Sequence, residues 1–285
     1  MPPKPPETSA AKRLVASKRA RELLVRMASA LVLIPLVVGV MALGGAWFLT
    51  LISVGVALMC IEWGMMASPN AGARLAAALT IASLVAVFTG YLGHPVLSFL
   101  ILLFGALCTG LYAHRLGAGW MDAAYGVLYV GFPAIIVMWL RESNNGFAWV
   151  MFAFLIAWAS DSAAYIVGKL VGGPKLWRRY SPNKTWSGFA GGMIAGMLTA
   201  ASLNDLPWTH LFVHNTSPII VGLIVSLATM AGDLWESALK RRFGVKDSGS
   251  LIPGHGGLMD RVDGLMFAIV ALGAIRVLVM LGTEI

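Results

Sequence analysis

Nine apolar runs of membrane-spanning length occupy most of this 285-residue chain. They cover residues 27–43, 46–63, 74–92, 95–113, 121–140, 147–170, 186–204, 216–240 and 262–282. A helix rising about 1.5 Å per residue needs about 20 such residues to cross a hydrocarbon core. The first two runs are short and read as a tight helical hairpin. Composition agrees: 58% of the chain is hydrophobic and only 12% is charged, against roughly 25% charged in a soluble domain. Mean hydropathy is +0.79. One water-soluble core cannot hide that much apolar surface, and a body this apolar is not disordered. Cys60 and Cys108 both lie inside apolar runs, which excludes a disulfide scaffold and reads as core packing. The expected fold is therefore all-α: a polytopic integral membrane helix bundle of about nine transmembrane helices.

Charge gives the orientation. Residues 1–26 are polar, Pro-rich and then basic, without the single apolar run and cleavage site of a secretory signal. They read as a disordered basic tail with a cytosolic N-terminus. If sides alternate from there, every one of the 21 Lys and Arg residues except Arg141 and Arg276 falls on the cytosolic side. The net charge of +8 then serves topology, and no nucleic acid is implied. Three segments follow: the tail 1–26, the N-terminal spans 27–145, and a catalytic transmembrane region 146–285 with cytosolic loops at 171–185 and 241–261. Trp63, Trp139 and Trp208 fall near span ends and read as interface anchors.

The chemistry sits in carboxylates within or beside the last spans. Asp161 lies in WASDSAAYIVGKL, Asp233 and Glu236 in MAGDLWESALKRR, and Asp260 and Asp263 in HGGLMDRVDGLMF. A carboxylate at mid-span costs roughly 2.5–3.5 kcal/mol on insertion scales, so it persists where it pairs, lines water or binds something. Counting rise per residue puts Asp233 and Asp161 on the order of 10 Å inside the cytosolic ends of their helices. Asp260 and Asp263 share one face at the start of the last span, at i,i+3. Asp233, Ser237 and Lys240 fall along a face, as do Asp161, Tyr165 and Lys169. Ion pairing of Asp233 or Asp263 with Lys240 or Arg261 is the plainer alternative to a cation site. An oxygen-rich, sulfur-free set suits Mg²⁺ or a similar hard ion.

Both loops look built for phosphate. Residues 241–261, RRFGVKDSGSLIPGHGGLMDR, are Gly-dense, and such backbone can aim successive N–H groups at an anion. Arg241, Lys246, Ser248, Ser250, His255 and Arg261 add donors. Residues 172–188, GGPKLWRRYSPNKTWSG, add Ser181, Lys184, Thr185 and Ser187. Walker A spacing is absent, and a lone His255 does not make a zinc site. A carboxylate–metal cluster rimmed by basic loops, inside a membrane but open to cytosol, suggests phosphoryl or nucleotidyl transfer to or from a lipid.

The residues also carry a resemblance. Ser237-Ala-Leu-Lys240-Arg241, then Lys246-Asp247-Ser-Gly, then Ile252-Pro253-Gly-His255-Gly-Gly-Leu-Met-Asp260-Arg261-Val-Asp263 resembles, without a gap, the signature of the phosphatidate cytidylyltransferase family, the CDP-diacylglycerol synthases. Asp161-Ser-x-Ala-Tyr165-x-x-Gly168-Lys169, Ser181-Pro182-x-Lys184-Thr185-Trp-x-Gly188 and Gly232-Asp233 are similar to that family too. The resemblance covers residues 155–265, and upstream only the several spans match.

It implies the reaction CTP + phosphatidate → CDP-diacylglycerol + pyrophosphate, with Mg²⁺ as cofactor and, in some members, a monovalent cation such as K⁺ beside it. Carried over by position, Asp233, Lys240, Asp247, Asp260 and Asp263 are expected as catalytic residues, with Asp233, Asp260 and Asp263 as metal ligands. Asp161, Lys169, Ser181, Lys184, Thr185, Ser237, Arg241, Lys246, His255 and Arg261 are expected around substrate. Expected partners are CTP, phosphatidate, membrane lipid and a second copy in a homodimer. The expected location is a cell membrane, a bacterial inner membrane, with the site facing the cytosol. A CTP-dependent lipid kinase is the rival enzyme, and a cation-coupled secondary transporter the rival of another class. The transporter calls for a mid-bilayer site and repeat symmetry, whereas these carboxylates cluster toward one face.

Overall fold

A computed structural model describes residues 31–206, 211, 216–249 and 256–282. Residues 1–26 and His255, both assigned roles above, lie outside them, as does Trp208. Helix α1 covers Leu31–Leu43. It is followed by α2 (Gly45–Ala67), α3 (Gly72–Tyr91), α4 (Pro95–Arg115), α5 (Trp120–Glu142) and α6 (Gly146–Leu170). A small hairpin of β1 (Lys175–Trp177) and β2 (Ser181–Thr185) leads into α7 (Trp186–Asn204), α8 (Pro218–Arg242) and α9 (Met259–Met280). Seven of these helices, α2 to α6 with α8 and α9, are long and apolar enough to cross a membrane. The described part of α1 is shorter. The all-α expectation holds, with the hairpin as an addition. Lys175 pairs with Thr185 and Trp177 with Ser181 in an antiparallel register. In sequence this stretch reads as a plain loop, because two short strands holding Lys, Asn and Pro carry no apolar alternation.

The outer surface is what a lipid environment requires. Leu103, Phe104, Leu198 and Met280 are among the large apolar side chains left exposed, far more than a water-soluble monomer leaves uncovered. Inside, α5 is the hub. It packs against α2, α3, α4, α6 and α9, and 67% of its most apolar stretch is buried. Two expectations fail here. Trp63 is fully buried rather than at an interface. Its Nε1 donates to the Asp122 carbonyl oxygen at 3.0 Å, and its ring meets Tyr125, Tyr129 and Phe243. A span-end tryptophan has an apolar body and one polar tip, so core and interface look alike in sequence. Cys60 is buried as expected, but Cys108 is exposed on the outer face of α4.

Two arginines that broke the charge pattern have local uses. Arg141 donates from Nε to the Met41 carbonyl at 2.6 Å and from Nη2 to that of Ala42 at 3.0 Å. It thereby satisfies open carbonyls at the end of α1, where a cation is favoured. Arg276 lies over the rings of Trp139 and Trp149, 5.6 and 4.7 Å from their centroids. Neither arginine lies at the end of the bundle that gathers the carboxylates.

Candidate active site

Glycine sets the geometry of the two central carboxylates. A Cβ on Gly232 of α8 would lie 2.5 Å from the Asp263 carbonyl oxygen, and one on Gly264 of α9 would lie 2.9 Å from that of Thr229. The two backbones therefore touch, as small residues allow between membrane helices. Asp233 and Asp263, each next to one of these glycines, are thereby held side by side on neighbouring helices.

They open into a cavity of about 660 Å³ at one end of the bundle. Its walls come from the last turns of α6 and α8, the first turns of α7 and α9, and the hairpin. Asp161, Asp233, Asp260 and Asp263 all line it, so carboxylates from three helices share one cavity wall. Lys169, Lys184, Thr185, Lys240 and Arg261 line it as well. Two polar lining residues, Lys175 and Asn183, were not anticipated. Lys175 Nζ donates to the Asn183 carbonyl oxygen at 3.4 Å across the hairpin.

The charges are partly paired. Lys184 forms an ion pair with Asp233, and its Nζ also lies 3.4 Å from Met230 Sδ. Lys240 Nζ lies 2.5 Å from Asp260 Oδ1 and 2.6 Å from Glu236 Oε2. The contact to Glu236 is an ion pair between residues one helical turn apart. Asp260 is saturated, since its Oδ2 accepts the Ser248 N–H at 3.0 Å and the Gly257 N–H at 3.1 Å. Asp263 Oδ1 accepts the Gly264 N–H at 2.8 Å. Among the described residues neither Asp161 nor Asp263 makes an ion pair. The pairing expected from the sequence, with Lys240 or Arg261, is thus not the one found: Asp233 is paired with Lys184, and among the described residues Asp263 is in no ion pair.

Thr185 has a structural task besides lining the cavity. Its Oγ1 accepts the Gly188 N–H at 3.1 Å and caps α7. That cap fixes where the hairpin ends, and so where Lys184 points. Arg241 lines a separate cavity of about 450 Å³ with Arg179, Tyr180, Trp235 and Arg242. Lys246 and Asp247 are exposed on the turn after α8, and neither lines the main cavity; Ser181 and Ser237 do not line it either. Spacing along one helix face could not reveal this, because the chain turns away at Gly244 (φ 73°). Glu62 of α2 was missed altogether. It is 2% exposed and accepts hydrogen bonds from Ser248 and from the start of α9. Its signal was present, a single carboxylate within an apolar run.

Among the described residues no three His, Cys, Asp or Glu side chains are gathered tightly enough to enclose an ion by themselves. The donor set nevertheless fits a magnesium ion. That ion keeps several waters and takes one or two protein carboxylates beside substrate phosphates.

A phosphatidate cytidylyltransferase of Brucella suis biovar 1 is 46% identical over 156 residues, which are 53% of this chain and 55% of that protein. One of Staphylococcus epidermidis is 38% identical over 178 residues, 62% of this chain and 65% of that protein. One of Staphylococcus aureus is 38% identical over 174 residues, 61% and 64% respectively. The chain therefore matches less than two thirds of the length of each relative. The model of the cytidylyltransferase family matches residues 24–279, nearly the whole chain, and the protein belongs to that family.

Proposed function

We propose that the protein transfers the cytidylyl group of CTP to phosphatidate, giving CDP-diacylglycerol and pyrophosphate. The observation that carries this reading is the cavity itself. Carboxylates from α6, α8 and α9 and lysines from α6, α8 and the hairpin line one space at the end of span-length helices. The relatives' names supply the substrates. The Lys and Arg asymmetry supports a cytosolic position for that end, where CTP is available.

The lipid needs no general base. A phosphate monoester is largely dianionic at neutral pH, its second pKa being about 6. One of its oxygens attacks the α-phosphorus of CTP, the bond to the β-phosphate breaks, and pyrophosphate leaves with the electron pair. The obstacle is charge, since two polyanions must meet. Lys184, Lys240 and Arg261 neutralise the phosphates and the leaving pyrophosphate. Lys169 and Lys175 line the rim of the same cavity. Magnesium would be held by Asp233 and Asp263, and supplies Lewis-acid stabilisation of the phosphoryl oxygens when bound. Asp260, with three donors already on it, organises the loop and Lys240 instead. Acyl chains remain among the exposed apolar faces of the helices.

Two outcomes are expected. Purified protein with Mg²⁺ releases pyrophosphate only when CTP and phosphatidate are both present, as read by a coupled pyrophosphate assay. Release of CDP with diacylglycerol as acceptor would instead mark a lipid kinase and overturn the reading. The helix contact gives a second expectation. Gly232→Val pushes α8 away from Asp263, and a shift of about 1 Å between reacting groups can cost about 100-fold in turnover. The membrane fraction should still contain the variant, as measured by immunoblot, and unchanged turnover would contradict the assigned role of that contact.

A further inference from the structure

We infer that Glu62, on α2 in the N-terminal half of the chain, is a positioning residue that ties Ser248 of the α8–α9 loop to the start of α9 and thereby sets Asp260 and Lys240. The inference rests on the functional reading above for what is being positioned. The anchoring itself rests on geometry alone.

Glu62 is buried in an apolar helix, where a carboxylate is costly unless its oxygens are satisfied. Three donors satisfy them, and all come from residues 186 to 197 positions away in sequence. Leu258 N–H donates to Oε1 at 2.7 Å, Met259 N–H to Oε2 at 2.8 Å, and Ser248 Oγ to Oε2 at 3.2 Å. The first two are N–H groups at the start of α9, which no intrahelical carbonyl can satisfy. Leu258, the residue at the cap of α9, offers no side-chain hydrogen bond of its own. Glu62 caps α9 from another helix, and its position at the N-terminus complements the helix dipole.

Ser248 joins this cap to the site. Its hydroxyl donates to Glu62, and its backbone N–H donates to Asp260 Oδ2. Gly257 closes the other side. Its N–H also donates to Asp260, and a Cβ there would stand 1.9 Å from Ser248 Oγ and 2.9 Å from both Glu62 oxygens. Only glycine fits that seat. The chain of contacts runs from Glu62 through the start of α9 and Ser248 to Asp260, then Lys240, then the cavity. A residue of the N-terminal spans is in this way part of the site, although it does not line the cavity.

The test uses the full-length protein in detergent micelles, comparing the wild type with Glu62→Gln and with Cys60→Ala, a buried control on the same helix. Hydrogen–deuterium exchange at the Leu258 and Met259 amides should speed up about tenfold or more in Glu62→Gln, because a weakened cap lowers the local opening free energy. It should not change in Cys60→Ala, whose activity should also match the wild type. In Glu62→Gln, kcat should fall by about tenfold or more while KM for CTP stays within about threefold, since Glu62 does not line the substrate cavity. Ser248→Ala, the milder change, should lower kcat alone but add little in the Glu62→Gln background, because the hydroxyl acts through Glu62. Should Glu62→Gln fail to fold, Ser248→Ala must by itself speed exchange at the loop ends. Unchanged exchange in folded variants overturns the anchoring. Faster exchange with undiminished kcat overturns the positioning role. If the wild type transfers no cytidylyl group, the functional reading falls, and exchange alone decides whether Glu62 anchors the loop.

Discussion

Asp263→Asn is expected to abolish turnover while leaving the protein inserted in the membrane. Asp263 faces the cavity and, among the described residues, makes no ion pair. The substitution keeps the side chain's size, and the oxygen that accepts the Gly264 N–H can be retained. It removes the charge that would hold magnesium opposite Asp233. Several kcal/mol of transition-state stabilisation goes with it, or roughly 1,000-fold or more in rate. The measurement is cytidylyl transfer by purified variant, normalised to protein recovered from membranes. Turnover within about threefold of the wild type would show that Asp263 does not serve the chemistry. Asp233→Asn should behave alike in activity, with one added effect: Lys184 loses the anionic partner that holds it.

Lys240→Met is expected to damage stability and activity together. Lys240 lies between Glu236, which is 1% exposed, and Asp260, which is 10% exposed. Removing the ammonium leaves two buried carboxylates without their cation, and breaking a buried pair in this way costs about 3–5 kcal/mol. A lower thermal midpoint in detergent and loss of turnover should appear together. The double variant Lys240→Met with Glu236→Gln should recover part of the stability, because it removes one stranded charge. It should not recover turnover, because the cation beside the phosphates is still missing. An unchanged midpoint in Lys240→Met would mean that the pairs seen around it contribute little.

These two variants probe what spacing alone could and could not reveal. The bundle was legible because apolar runs of span length leave one economical fold, and seven helices meet that standard. Asp161, Asp233, Asp260 and Asp263 were legible because each is a costly charge placed toward the same end of the bundle. Spacing did not settle which of them has a cation partner. Asp260 and Asp263 are three residues apart on one face, yet one is held by Lys240 and two backbone donors while the other, among the described residues, makes no ion pair. That difference comes from α8 and the loop ends, which lie far away along the chain. Glu62 was passed over for a related reason. Its donors come from the opposite end of the sequence, so no local pattern marked it beyond its cost. Arg241, Lys246 and Asp247 belong to the signature but not to the cavity wall, because the chain reverses just after α8.

Tracing label from CTP is the most direct check on the central claim, which is that this cavity acts on the α-phosphorus of the nucleotide. Parallel reactions receive phosphatidate, Mg²⁺ and CTP labelled at either the α- or the γ-phosphorus. The account predicts that α-label enters the chloroform-soluble lipid and γ-label remains in water as pyrophosphate, with both events lost in Asp263→Asn. Label from the γ-position in lipid, or none from the α-position, would contradict it.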